Sequence, residues 1–144
     1  MADASMTKPA PRVLGPISRT DVVIYQGASG DFEPMHHDEP FAKAAGMPAP
    51  IVVGMYPAGA MCAWASDWLG PERVRKSWVR WRAPVWPGDT LTIDGEITGT
   101  TDVQLPDGTT QPRLQVAVQC TNQDGAVVLQ GTMDFAVAGS ESVQ

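Results

Sequence analysis

The chain carries two histidines, and they are adjacent: His36 and His37, in the stretch Ser29-Gly-Asp-Phe-Glu-Pro-Met-His-His-Asp38. Activating water near neutral pH takes a group that titrates there and a carboxylate close enough to orient it or share its proton. Asp31 and His36, across a short loop constrained by Pro34, supply such a pair. The same residue types also serve as helix caps and turn formers. Asp38, before Glu39-Pro40, reads as a cap, and for Asp31 and His36 the spacing alone leaves both readings open. A metal site built from Asp31, His36, His37 and Asp38 is disfavoured, because neighbours in an extended loop point opposite ways and no Cys or third His completes a ligand set. Cys62, between Met61 and Ala63, reads as a core thiol rather than a nucleophile.

A second chemical feature is Gly54, at the expected start of an apolar helix. Free backbone N–H groups there, beside a residue that lets a ligand approach closely, can meet a developing oxyanion, and the helix dipole has the right sign. A close helix packing contact would use a glycine equally well. Arg73, Arg75, Lys76, Arg80 and Arg82 concentrate basic charge in one predicted strand. They fit a solvated strand face or the phosphates of an acyl carrier arm, for which Arg80 and Arg82 are the candidates. Met35, Met55 and Met61, with the tryptophans, are candidates to line a pocket, although flexible Met gives no rule for the length of what it holds. Trp64 and Trp68, four residues apart, read as core, as does one of Trp78 and Trp81.

These residues need elements to hold them. Ser18-x-x-Asp21 has capping-box spacing ahead of Val22, Val23 and Ile24 and predicts a helix from about Arg19 to Ala28, stopped by Ser29-Gly30. A shorter helix is expected over Glu39 to Ala45, with the Asp31 to His37 segment between them held by Pro34 in a non-helical path. From Gly54 to Leu69 the residues are apolar or small around nearly the whole circumference, and Gly70-Pro71 ends the run, so this helix belongs in the middle of the protein. Strands are expected over Arg73–Arg82, Thr90–Gly99, Gln111–Thr121 and Ala126–Val137, with a further one near Arg12 to Ile17. Leu105-Pro-Asp-Gly108 and Asn122-Gln-Asp-Gly125 make the last three an antiparallel meander, and Trp86-Pro-Gly-Asp89 turns the first toward the second. The expected class is α+β, one central helix wrapped by a single antiparallel sheet.

Composition bounds the answer further. With 144 residues the chain suits one domain; residues 1–11 and 139–144 are expected to be loose tails around a domain over 12–138. Apolar residues at 43% and charged residues at 18% exclude a wholly disordered chain. A net charge of −6 argues against nucleic acid as a partner, since phosphate binding needs a clustered basic surface. Two cysteines, Cys62 and Cys120, within apolar segments suggest free thiols in a reducing compartment, with one bridge between them as the alternative. The first residues have no apolar signal core, and no run of about 18 apolar residues occurs, so no membrane span is expected and a cytoplasmic location is the default.

The motifs together resemble the MaoC-like hydratase family of hot-dog-fold proteins, the (R)-specific enoyl-CoA hydratases and (3R)-hydroxyacyl-ACP dehydratases. Ala28-Ser-Gly-Asp-Phe-Glu-Pro-Met-His-His-Asp-Glu-Pro-Phe-Ala42 is similar to that family's hydratase motif; Ala49-Pro-Ile-Val-Val-Gly-Met55 is similar to the start of its central helix. Arg80-Trp-Arg-Ala-Pro-Val-Trp-Pro-Gly-Asp89 is similar to its strand-to-loop signature. The resemblance implies a hot-dog fold, Asp31 and His36 as a catalytic dyad, and Gly54 as the donor to the thioester carbonyl. It implies hydration of an enoyl-thioester, or the reverse dehydration, on an acyl-CoA or acyl-ACP substrate. No cofactor and no metal are expected. A homodimer, or a heterodimer with a second hot-dog chain, is the expected assembly. The fold also carries acyl-CoA thioesterases and non-catalytic partner subunits, which stand as alternatives. Glu33 replaces the family's usual Asn, and Val53 stands where the family commonly has His.

Overall fold

The computed structural model describes residues 7–137. In chain order these form β1 (Arg12–Leu14), α1 (Arg19–Ser29), a single 3-10 turn (Pro34–His36), α2 (Glu39–Ala44) and α3 (Met55–Leu69). A second 3-10 turn (Pro71–Arg73) leads into β2 (Val74–Trp81), β3 (Leu91–Gln104), β4 (Thr110–Thr121) and β5 (Val127–Ala136). The five strands make one antiparallel sheet in the order β1-β3-β4-β5-β2.

The helix boundaries follow from local chemistry. The Ser18 hydroxyl accepts from Asp21 N at 3.0 Å while the Asp21 carboxylate accepts from Ser18 N at 2.7 Å, a complete capping box that satisfies two N–H groups the helix itself cannot. α1 ends at Gly30, in the left-handed region at φ 76°, where a side chain would be strained. Asp38 caps α2 through a 3.0 Å bond from Phe41 N. Pro57 falls in the first turn of α3, where its missing N–H costs nothing.

α3 lies against all five strands. Its buried stripe, Ala58, Met61, Trp64, Ala65 and Leu69, meets Ile93, Val116, Val118, Leu129 and Phe135 from the sheet in one core. Removing a large side chain of this kind from water contributes roughly 1.5–3 kcal/mol each. The helix sits close to the sheet at two glycines. A Cβ on Gly95 would come within 3.0 Å of the Trp64 ring, and one on Gly131 within 3.0 Å of the Met61 methyl group.

Four expectations are corrected. β3 runs on past Gly99 to Gln104, because Gly99 marks a bulge, with the register shifting between Ile97 and Gly99, rather than a strand end. The Trp86–Asp89 turn does lead from β2 to β3, but the strands are not neighbours: β2 crosses to the far edge and pairs with β5. Pro34 starts a 3-10 turn instead of holding a non-helical path. Neither Trp78 nor Trp81 is core, at 47% and 48% exposure, because β2 is an edge strand with one neighbour and Trp78 faces away from α3. The meander of β3, β4 and β5 is as expected. At the N-terminus Lys8 pairs with Asp94 at 2.8 Å, and Ala10 O accepts from the Trp64 indole at 3.1 Å, so this part of the expected tail lies against the body. The expected tail over 139–144 lies outside the described residues.

Candidate active site

Asp31 and His36 sit on the connection between α1 and α2, and three sets of bonds hold that connection. First, Gln26 on α1 is only 2% exposed and donates from its amide to Asp31 O at 2.9 Å and more weakly to Glu33 O at 3.4 Å. Its Oε1 lies 3.2 Å from His37 Nδ1, which donates to it. Second, the Asp31 carboxylate accepts from Glu33 N at 3.3 Å, tightening the turn. Third, the turn is clasped to the segment ahead of α3 on both sides of Ile51: Ile51 N donates to Met35 O at 3.2 Å, and His36 Nδ1 donates to Ile51 O at 2.8 Å.

The last contact decides the histidine's chemistry. A carbonyl oxygen only accepts, so the proton is on Nδ1, and the lone pair of the neutral ring is on Nε2. Nε2 faces Asp31 Oδ2 at 3.9 Å, with the His36 side chain 14% exposed and that of Asp31 44%. That separation is too long for a direct hydrogen bond.

Gly54 is the N-cap of α3, so its N–H lies in the set for which the helix offers no acceptor. Val52 N donates to Val85 O at 2.9 Å, joining the approach to α3 to the loop after β2. Tyr25 on α1 packs against Tyr56 on α3, with ring centroids 5.2 Å apart, and ties the helix carrying Gln26 to the helix start. Met35, His36, Gly54, Trp81 and Arg82 line one open cleft of about 460 Å³, with Ile51 and Pro84 among its apolar walls. Asp31 lies outside that lining and meets it at His36 Nε2.

The structure therefore brings together Asp31, His36, Gly54, Met35 and Arg82. It does not bring Arg80 or Met55 to the cleft. Arg80 pairs across the sheet with Gln130, and strand alternation puts both on the face away from α3, since the next pair, Val79 and Gly131, faces Met61. Met55 is the first residue of α3 and is 54% exposed, outside the cleft lining. Glu33 is exposed, and Val53, where a His is common in the resembled family, is buried at 2% in the core. One residue at the site escapes the sequence reading: Gln26 looks like any helical polar residue until the loop folds over it. Trp81, read both as a core candidate and, with the other tryptophans, as a pocket candidate, lines the cleft. Burial pushes the Cys120 thiol up to about 12 and raises that of Cys62, in keeping with thiols that stay protonated. Among the described residues no group of three or more His, Cys, Asp and Glu could hold a metal ion, and no helix is long and apolar enough to cross a membrane.

A long helix laid across one curved antiparallel sheet, with a polar dyad turn at the helix start, defines a hot-dog fold. The chain belongs to the MaoC-like family: the MaoC-like domain matches residues 3–118. Enoyl-CoA hydratase ChsH3 of Mycobacterium tuberculosis is 32% identical over 123 residues, 83% of this chain and 38% of that one. The (R)-specific enoyl-CoA hydratase of Rhodospirillum rubrum is 34% identical over 86 residues, 58% of this chain and 59% of that protein. This chain thus spans less than two thirds of the length of either relative. The ChsH1-ChsH2 complex from Mycobacterium tuberculosis superposes with a TM-score of 0.74 at 24% identity, covering 91% of this chain and 95% of the matched one, a likeness of fold.

Proposed function

We propose that the chain is an (R)-specific enoyl-thioester hydratase, or in reverse a 3-hydroxyacyl-thioester dehydratase, acting on an acyl-CoA or acyl-ACP. The observation that carries this reading is the His36 ring, with Nδ1 committed to Ile51 O and Nε2 turned to the Asp31 carboxylate at the edge of a cleft that also holds the start of α3. The family membership and the relatives named enoyl-CoA hydratases support it.

In this reading one water sits within hydrogen-bond reach of His36 Nε2 and Asp31. Its oxygen adds to C3 of the enoyl group as the dyad takes one of its protons, and C2 receives a proton, so that the net change is addition of one water. Electron density that moves onto the thioester oxygen during the addition meets the Gly54 N–H and the positive end of α3. Dehydration is the same sequence reversed. Met35 borders the acyl group, and Arg82, at the mouth of the cleft, meets an anionic carrier arm. The protein acts in the cytoplasm, as a homodimer or beside a second hot-dog chain; β2, paired on one side only, offers an edge for such an assembly.

The test follows enoyl-thioester absorbance with crotonyl-CoA and longer enoyl-CoA substrates. Wild-type protein hydrates them, and Asp31→Asn or His36→Ala each lowers kcat/KM by at least about 100-fold. Unchanged rates in both variants would sink the mechanism. Thiol release from a saturated acyl-CoA without enoyl turnover would make the protein a thioesterase instead.

A further inference from the structure

Gly54 has ordinary right-handed helical angles, φ −58° and ψ −30°, which any residue can adopt. Its lack of a side chain therefore has no backbone explanation. The explanation is spatial: a Cβ at position 54 would come within 2.9 Å of Trp81 Nε1, 3.4 Å of Cδ1 and 3.5 Å of Cε2. The indole occupies the place a side chain would take. It is also bonded there, since Trp81 Nε1 donates to Gly54 O at 2.9 Å across 27 residues of sequence.

Trp81 is the last residue of β2 and pairs with Leu129, which is fully buried beneath α3, so the ring emerges on the helix side of the sheet edge. Half of the residue stays open, at 48% exposure, and it lines the cleft beside Arg82. A rigid two-ring side chain anchored at a strand end is well suited to fix the direction of a neighbouring peptide, because it has few torsions to lose.

From this geometry we infer that Trp81 is a positioning and specificity-determining residue for the Gly54 carbonyl-binding site. Its N–H holds the first turn of α3 from the β2 side, and its ring forms the wall along which a thioester must lie to reach the Gly54 N–H. The inference rests on the hydratase reading for its catalytic half. The contact between Trp81 and Gly54 does not.

Trp81→Phe keeps an aromatic wall and deletes the donor. Its kcat on enoyl-CoA falls about tenfold while KM stays within about threefold, the pattern of an interaction that orients rather than binds. Trp81→Leu removes the wall as well and raises KM. The indole emission that changes when a saturated acyl-CoA binds is lost in Trp81→Phe, marking the ring beside the ligand. Gly54→Ala lowers the melting temperature in the wild type and lowers it by less than half as much in the Trp81→Leu background, because the clashing ring is gone. Equal cost of Gly54→Ala in both backgrounds, or Trp81→Phe with wild-type kcat and KM, overturns the inference. A wild type that hydrates no enoyl thioester overturns the hydratase reading and the catalytic half with it, while the melting-temperature coupling still decides the contact.

Discussion

Replacing Gln26 by methionine keeps the length of the side chain and removes every polar atom from a site that is 2% exposed. Three contacts go at once. The 2.9 Å bond to Asp31 O is the strong one, worth about 1 kcal/mol net, and the 3.4 Å approach to Glu33 O adds less because it is long. The 3.2 Å bond from His37 Nδ1 is recovered largely by water, since His37 is exposed. Water cannot fully replace a buried donor facing the Asp31 carbonyl, so a share of its desolvation is added, and the total comes to about 2–3 kcal/mol. For a chain of this size a kcal/mol moves the melting point by about 3–4 °C, so Gln26→Met melts roughly 6–12 °C lower. Because the bonds lost are those that place Asp31, kcat falls as well, by about 10- to 100-fold, in protein held well below its new melting point. Gln26→Glu separates this reasoning from a simple packing effect. The introduced carboxylate faces carbonyl oxygens with no donor to offer, so it costs more than Gln26→Met at neutral pH. The buried acid holds its proton more tightly when folded than when unfolded, so its stability deficit shrinks as pH is lowered from 8 to 5. Thermal unfolding at several pH values and steady-state hydration measure both arms. If Gln26→Met melts within about 1 °C of wild type with unchanged kcat, the amide is not what places the dyad turn.

Ser18→Ala loses the N-cap of α1 and about 1 kcal/mol, read as a lower melting temperature. The Ser18 hydroxyl and N–H hold the Asp21 carboxyl below its ordinary 3.8, so its contribution to wild-type stability is full above the unfolded value and fades as pH falls through the folded one. Acid unfolding of Ser18→Ala is correspondingly shallower over that range. Phe135→Ala empties a fully buried site and costs about 3–5 kcal/mol in chemical denaturation. With its thiol pushed up to about 12, Cys120 resists alkylation at pH 8 in the native protein and labels on unfolding; rapid native labelling would contradict its burial.

What was legible in the sequence was local. Ser18 and Asp21, Gly30, Asp38 and the Asn122–Gly125 turn each announce an element through bonds between near neighbours, and each is found where expected. What was not legible depends on distant chain. A turn at Trp86–Asp89 says that the chain reverses, not that β2 will lie four places across the sheet order from β1. Trp81, on the helix side of the sheet, is still half exposed because β2 is an edge strand, while Trp78 faces away from α3. At the site, the Asp31 and His36 spacing offered a carboxylate–imidazole pair and left its role open, and the tautomer of His36 hangs on a carbonyl 15 residues away, which no pattern of residue types reveals. Arg80 and Arg82 look equivalent in the sequence, but only Arg82, past the end of β2, reaches the cleft.

A chain that has left the ribosome only as far as β4 already contains the dyad turn, α3, Gly54 and Trp81, yet β2 has nothing to pair with, because its ladder partner is β5. Until Val127–Ala136 is added, the indole has no fixed place over Gly54 and one wall of the cleft is missing. Completion of the site is thus timed to the closing of a strand pairing between segments far apart in sequence, a slow kind of event in folding. β5 itself supplies no residue to the cleft lining. Lesions in it nevertheless reach the chemistry by leaving Trp81 and Arg82 without an anchor, so early loss of activity during partial unfolding would report the peeling of β2 from β5 rather than any change at the dyad.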